Sequence, residues 1–333
     1  MQNKSITFVC LVVVSFFPTS LWAQEAYTVV KDGIITFYYD NNKTGREGNV
    51  YDIATEYVGD GNYPAWRSSG ITKAVFDSSF SNYFPTCTAR WFHSCSGLTE
   101  IENISYLNTE LSTSMGGMFY DCNSLLNIDL SGFRTSNVTT MFCMFYGCSK
   151  LERLDLSSFD TGNVRTMAAM FYGCTSLKEL NVSSFDTKNV ENLEYLFFNC
   201  THLLCLDISS FNTGQTTNME AMFAYCENLQ TIYVGYGWNT EKVTISKNMF
   251  WGCDSLVGGD GTKCDGYGSV NPIDFSFAKV DTSANPGYFT SDVNNVLSNT
   301  GFRLGYFYSP SGIRSIHPRK GLNINNGKKM IMR

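Results

Sequence analysis

The sequence predicts an α/β repeat solenoid over residues 91–257, in which each repeat contributes one short parallel strand and one short helix. A Met-Phe-x-x-Cys element, with variant copies at both ends, recurs at steps of 26 or 27 residues, and an alternating apolar segment follows each copy. Copies in constant register indicate one unit stacked on itself, because a single unit cannot bury its own apolar face. The recurring cysteines are Cys95, Cys122, Cys148, Cys174, Cys200, Cys226 and Cys253.

Residues 1–23 have the layout of a signal peptide. Lys4 precedes an apolar run that ends at Phe17, Pro18 breaks the run, and Ala23 is a small residue suited to cleavage. The run is too short to span a bilayer. We therefore expect an exported protein without a transmembrane segment.

Residues 24–90 are expected to form a β-rich N-terminal cap. Two apolar segments flank Asp32-Gly33, a pair typical of a tight hairpin turn. The segment Ile71–Asp77 is a further strand candidate that leads into the first repeat.

The first half of each repeat has the period of a half-buried strand. Leu154 and Leu156 alternate with the polar residues Arg153 and Asp155. The register predicts parallel strands at Leu125–Leu130, Leu151–Leu156, Leu177–Val182, Leu203–Ile208 and Leu229–Val234.

The second half of each repeat has helical spacing. Val164, Met167 and Phe171 recur at the intervals of one helical face. Thr161 or Asn163 is placed to cap the first turn. The sequence therefore predicts one short helix per repeat.

Residues 258–290 are expected to form a C-terminal cap. They begin with the glycine-rich segment Gly258–Gly261 and close with Asn285–Phe289. Calcium binding by the glycine-rich segment is a minor alternative. Lys263 lies near the position where a calcium-binding glycine-rich repeat has an aspartate, and the segment occurs only once in the sequence.

Residues 291–333 differ from the rest of the chain in charge. They hold seven basic residues and one acidic residue, which gives this segment a net charge of +6. Because the net charge of the whole chain is −6, residues 1–290 carry a net charge of −12. Asn326-Gly327 lies between alternating apolar residues and predicts a hairpin in a small β module. A strongly acidic body lacks the basic footprint that nucleic-acid binding requires.

The repeat Leu-Asp-Leu-Ser-x-Phe-Asp-Thr-x-Asn-Val-x-x-Met-x-x-Met-Phe-x-x-Cys resembles the BspA-type leucine-rich-repeat surface proteins of bacteria. The resemblance extends from Tyr27 to Thr290 and includes Thr36–Asp40 and Asn285–Phe289. It implies a leucine-rich-repeat coil in a protein that is secreted or held at the outer cell surface. It also implies an adhesin-like role toward a host or neighbouring-cell protein or glycan, without naming the ligand.

The basic tail is similar to the short C-terminal β modules of proteins exported by the type IX route, which end in a comparable Gly-Lys-Lys strand. This resemblance covers a much shorter segment than the repeat does. It implies the export machinery as a partner of the tail.

We predict no enzymatic activity. The three histidines, His93, His202 and His317, fall in no metal-binding or triad-like motif. A Gly-x-Ser-x-Gly elbow, a His-Glu-x-x-His helix and a phosphate loop are all missing from the sequence. The sequence therefore predicts neither catalytic residues, nor a cofactor, nor a metal site.

The recurring cysteines are expected to be buried and reduced. Packed helices lie about 8–10 Å apart, whereas a disulfide needs Cα atoms within roughly 7 Å. The redox state of Cys87, Cys143, Cys205 and Cys264 stays open, and strand alternation places Cys205 on the surface.

Two repeated columns are candidate binding surfaces. The acidic column is Asp129, Asp155, Asn181 and Asp207, and the aromatic column is Tyr120, Tyr146, Tyr172, Phe198 and Trp251. For the acidic column we favour a hydrated ladder supported by neighbouring serines over a groove for a basic partner. For the aromatic column, the simpler interpretation is that the rings fill seams between repeats. The alternative is a partly exposed aromatic stripe that binds a protein or glycan.

Two functions of different classes remain. The first is an adhesin-like binding protein that engages a protein or glycan through the solenoid surface. The alternative is a structural surface-layer or spacer protein without a specific ligand. Exposed rings discriminate between them, because a spacer has no reason to expose rings.

Overall fold

The computed structural model describes residues 23–56, 62–68 and 70–291, together with four short strands in the tail. Nearly all of the predicted signal peptide and the Asn326-Gly327 turn lie outside the described residues. The described part of the chain contains fourteen strands, five short 3-10 turns and no α-helix. None of its helical segments has the length and apolar character of a membrane span.

Five strands form the N-terminal sheet: β1 (Glu25–Lys31), β2 (Ile34–Asp40), β3 (Asn49–Asp52), β4 (Lys73–Phe76) and β5 (Glu100–Glu102), in the order β3-β1-β2-β4-β5. The predicted hairpin is present, and both of its turn residues, Asp32 and Gly33, have positive φ, as a tight hairpin turn requires. The β2–β4 and β4–β5 pairs are parallel. The sheet thus changes from antiparallel pairing to the parallel pairing of the repeats.

Short parallel strands continue this arrangement along the repeats. β6 (Arg153–Asp155) pairs with β7 (Glu179–Asn181), and β8 (Cys205–Ile208) pairs with β9 (Thr231–Val234). The cap strand β10 (Phe289–Ser291) pairs in parallel with β9 and covers its free edge. Four of the five predicted repeat strands are therefore present, although shorter than predicted.

The strand predicted at Leu125–Leu130 is wrong, because no strand forms there in the described structure. The buried residues Leu125 and Leu130 keep their predicted inward positions. One backbone bond to the next repeat, from Glu152 N to Leu126 O at 3.2 Å, remains there. One hydrogen bond between two segments is not enough to form a β-ladder.

The predicted helices are also wrong. Alternate amides of this half bond to the next repeat, as from Phe145 N to Met170 O (2.9 Å) and from Gly147 N to Tyr172 O (2.7 Å). The amides between them close four-residue turns, as from Cys148 N to Phe145 O at 3.1 Å. Each repeat therefore contributes a chain of turns that is hydrogen-bonded to its neighbours, and no helix forms because the alternate amides are directed between repeats.

A continuous series of parallel bridges joins these turns from repeat to repeat. The bridged residues are Ser114, Thr140, Thr166, Asn192, Asn218 and Ile245. Thr161 also links repeats and caps no helix: its hydroxyl donates to Asp186 O (2.9 Å) and accepts from Asp186 N (2.8 Å). Buried threonines at the same position do the same in the other repeats, namely Thr109, Thr135, Thr187 and Thr213.

The recurring cysteines are buried free thiols, but the spacing argument for that expectation is wrong. Hydrogen-bonded repeats lie closer together than packed helices. The six thiols from Cys122 to Cys253 instead act as donors, as from Cys174 Sγ to Phe145 O at 3.2 Å. Burial also raises the pKa of Cys174 to about 12, which suppresses the thiolate that disulfide formation needs. Of the other cysteines, Cys87, Cys143 and Cys264 are buried and Cys205 is exposed.

The tail contains four strands: β11 (Phe307–Tyr308), β12 (Arg314–Ser315), β13 (Gly321–Asn325) and β14 (Lys328–Met332). They form an antiparallel sheet in the order β12-β11-β13-β14. The β13–β14 pair corresponds to the predicted hairpin strands.

Candidate functional site

Five rings form one continuous stack along the turn-forming half of the repeats. Neighbouring ring centroids lie 4.3–4.4 Å apart, and neighbouring planes differ by only 1–5°. All five side chains are half-buried. The stack consists of His93, Tyr120, Tyr146, Tyr172 and Phe198.

The backbone explains why these rings are parallel and only partly covered. Tyr146 lies between two residues of positive φ, Cys143 (φ 55°) and Gly147 (φ 71°), which turn its side chain out of the core. The preceding residue, Phe145, belongs to the fully buried phenylalanine column. Bonds between repeats hold successive rings near the usual separation of hydrogen-bonded strands, about 4.8 Å.

Stacking determines which parts of the rings are available. The ring faces cover each other, so the edges and the phenol hydroxyls are directed outward. Burial and the neighbouring phenols of Tyr172 and Tyr120 raise the pKa of Tyr146. The column therefore presents neutral hydroxyls that can both donate and accept hydrogen bonds.

A groove with a volume of about 860 Å³ runs beside this stack. Its lining includes the small residues Gly117, Cys143 and Ala169. Phe142, with 49% of its surface exposed, and Tyr195 line it as well. The groove is therefore long and shallow, and both apolar and hydroxyl-bearing groups contribute to it.

The two ends of the groove differ in charge. At the His93 end, the guanidinium groups of Arg67 and Arg90 lie 4.0 and 4.7 Å from the centroid of the Tyr63 ring. Burial and these two cations lower the pKa of His93 to about 4, so the imidazole is neutral at pH 7. At the other end stands Glu194, whose Oε2 accepts from Asn218 Nδ2 at 2.6 Å.

Four of the five predicted aromatic residues lie in the stack. Trp251 does not, because Ala224 interrupts the column between Phe198 and Trp251. A second cavity, of about 450 Å³, lies at this interruption. The sequence prediction missed His93, although the repeat alignment places it at the position of Tyr120 one repeat earlier.

The acidic column has a structural use in its own repeats. A side-chain oxygen of each member accepts from the backbone amide two residues later, at Ser131, Ser157, Ser183 and Ser209, over 2.9–3.2 Å. Asn181 Nδ2 also donates to Asp155 Oδ1 at 2.9 Å. The serines therefore support the column through their backbone amides in each of these repeats, and the Ser131 hydroxyl also bonds to Asp129. The members of the acidic column, Asp129, Asp155, Asn181 and Asp207, line neither of the two cavities beside the aromatic rings.

The glycine-rich loop of the C-terminal cap folds around a buried carboxylate. Asp281 accepts four hydrogen bonds, from Asp260 N, Thr262 N, Thr262 Oγ1 and Gly287 N, over 2.6–3.1 Å. Its oxygens are thus fully engaged with the chain itself. Within the described residues, no group of three or more His, Cys, Asp or Glu side chains is arranged to hold a metal ion.

Comparison with known proteins relates the repeats to one family. The profile described as "Mycoplasma protein of unknown function, DUF285" matches residues 86–205 and 178–264. The chain is also similar to a leucine-rich repeat protein from Bacteroides ovatus ATCC 8483, at 17% identity over 70% of this chain and 80% of that chain, with a TM-score of 0.23. A TM-score of this size does not establish a shared fold. No curated protein matches the chain.

Proposed function

This chain belongs to the family described as Mycoplasma protein of unknown function, DUF285, and on that premise we propose that it is an exported surface protein that binds an extended protein or glycan. We infer that its stacked repeats form a leucine-rich-repeat solenoid. The groove beside the aromatic stack is the binding surface in this proposal. The protein then acts as an adhesin and not as an enzyme.

One observation carries the proposal: four of the five rings of the aromatic stack, namely His93, Tyr120, Tyr146 and Tyr172, line an open groove about 860 Å³ in volume. Rings that served only to fill seams between repeats would be covered. These rings are half-buried, and the three tyrosines among them carry hydroxyls at the edge of a groove with cationic and acidic ends. An extended ligand fits this arrangement because each repeat offers a similar contact along the groove, and aromatic residues are frequent energetic centres of interfaces.

The spacer function is the alternative, and a binding experiment separates the two. We expect the mature protein to retain a ligand on an array of glycans and extracellular-matrix proteins. Replacing Phe142 with Ala should weaken that binding about fivefold or more, because an exposed ring of the groove is lost. The melting temperature should stay nearly unchanged.

Leu204→Ala is the matched control, because Leu204 is exposed to a similar extent (54%) but does not line the groove. If the Phe142→Ala and Leu204→Ala variants bind the ligand equally strongly, the groove is not the binding surface. An array that retains nothing would favour the spacer.

We also propose that the tail serves sorting or attachment through the export machinery. Its four strands pair with each other, and its basic charge contrasts with the acidic body. Deleting residues 292–333 should abolish surface display and leave the melting temperature unchanged. A large fall in melting temperature with display intact would show that the tail is part of the cap.

A further inference from the structure

The cavity at the interruption of the aromatic column differs from the groove in the arrangement of its rings. Tyr195, Phe198, Tyr225 and Trp251 line it, and Ala221 and Ala224 leave room between them. In the stack the rings are parallel and cover each other's faces. Here Tyr195 and Tyr225 meet Phe198 at 65° and 66°, with centroids 5.7 and 5.2 Å away.

Rings at steep angles to each other can direct their faces into a shared space. The face of an aromatic ring carries negative potential, and its edge carries positive potential. A cavity with several ring faces in its walls therefore attracts a cation, most strongly one that is poorly hydrated. The cavity volume of about 450 Å³ has room for a compact organic group.

The charge of the cavity agrees with this preference. Glu220 is part of the lining, and its carboxylate contributes to raising the pKa of the Tyr195 phenol, after burial. Lys247 follows Glu220 at the same position of the next repeat, but no ion pair joins the two in the part of the chain that the structure describes. The Tyr195 phenol donates a hydrogen bond to this carboxylate, so Glu220 and Tyr195 together form an acidic, ring-bearing wall of the cavity.

We propose that this cavity binds a quaternary ammonium group of the choline type, carried by a small molecule or a lipid headgroup. The ring faces contact the methyl groups, and Glu220 neutralises the charge. The inference goes beyond the proposed function and does not depend on the groove, although the cavity lies on the same face of the repeats. It adds a second site with its own ligand chemistry.

Calorimetric titration of the full chain with choline tests the proposal against a neutral control. We expect 3,3-dimethyl-1-butanol, which has the same shape without the charge, to bind at least about tenfold more weakly. Phosphatidylcholine vesicles, compared with vesicles of an anionic lipid without choline, distinguish a headgroup from a free ligand. Equal binding of choline and its neutral counterpart would overturn the proposal, as would binding of a trimethyl-lysine peptide without binding of choline.

Three variants locate the site. Tyr225→Asn removes an exposed ring and keeps the backbone, because Asn199 has nearly the same φ at this position one repeat earlier (59° against 61°). It should weaken choline binding about tenfold, and Glu220→Gln should weaken it several-fold. Ala224→Tyr supplies the ring that earlier repeats have at this position and should abolish binding, because the new ring competes with Tyr225 for the space beside Phe198. Since Ala224 is buried, the melting temperature of this variant is measured together with that of Tyr225→Asn, which separates loss of the site from loss of the fold.

Tyr146→Phe, within the stack, is the control and should leave choline binding unchanged. Choline binding that survives Ala224→Tyr would place the site elsewhere. If choline fails to bind while the Phe142-dependent ligand is retained, this inference falls and the proposed function stands. If choline binds while the array retains nothing, the extended-ligand proposal falls and the cation site stands.

Discussion

Replacing Phe171 with Ala should lower the free energy of unfolding by about 3–5 kcal/mol. Phe171 is fully buried and stacks between Phe145 and Phe197, with centroids 5.9 and 5.6 Å away. The truncation leaves a cavity that both neighbouring repeats border, and the hydrogen bonds between repeats limit their collapse into it. Urea unfolding followed by circular dichroism measures the change.

Phe142→Ala is the control for this experiment, because Phe142 is exposed and truncating it should change stability by no more than about 0.5 kcal/mol. In a stack of repeats the damage should also spread to the neighbours. Hydrogen exchange should therefore accelerate most in the repeats on either side of Phe171. Equal stability losses in the two variants would show that the phenylalanine column is not the core.

Replacing Asp281 with Ala should cost about 3 kcal/mol and open the C-terminal cap. Asp281 is 4% exposed, and its side chain accepts four hydrogen bonds. Without the carboxylate, the amides of Asp260, Thr262 and Gly287 lose their acceptor. Since β10 pairs with β9 in the same cap, we expect faster proteolysis between Val257 and Ser291.

The same carboxylate should make the stability of the cap depend on pH. The hydrogen bonds from Thr262, Gly287 and Asp260 outweigh the effect of burial and hold the pKa of Asp281 below its usual value, which is about 3.9 in the unfolded chain. A lowered pKa contributes stability that is present above pH 3.9 and is lost as the pH falls through the folded value.

Asp281→Asn cannot titrate and is the control for the pH series. The difference in melting temperature between the wild-type protein and Asp281→Asn should be largest at neutral pH. It should shrink as the pH falls below about 3.9. A difference that stays constant down to acid pH would contradict the assignment.

Much of the fold follows from the repeat register alone. Stacked copies place equivalent residues at equivalent depth, so the sequence predicts that Leu154, Phe171 and Cys174 are buried, and all three are. The same register predicts parallel pairing of the short strands, and Asp32-Gly33 predicts the first hairpin. These features depend on period and turn chemistry, both of which are properties of the sequence.

The predicted helices are wrong because spacing does not distinguish a helix from a chain of turns. Val164, Met167 and Phe171 face inward in both cases. What differs is the partner of each backbone amide, and that partner lies about 25 residues away in the next repeat. Thr161 illustrates the same difficulty, because its partner Asp186 is remote in sequence.

The candidate site depends even more on tertiary structure. The sequence by itself determined that an aromatic residue follows the buried phenylalanine in most repeats and that Ala224 stands in its place in one of them. Only the stacking of repeats decided that the rings lie 4.3–4.4 Å apart with covered faces, and that the rings around Ala224 enclose a cavity. The physical reason is that ring orientation is set by the hydrogen bonds between repeats, which join residues far apart in the chain.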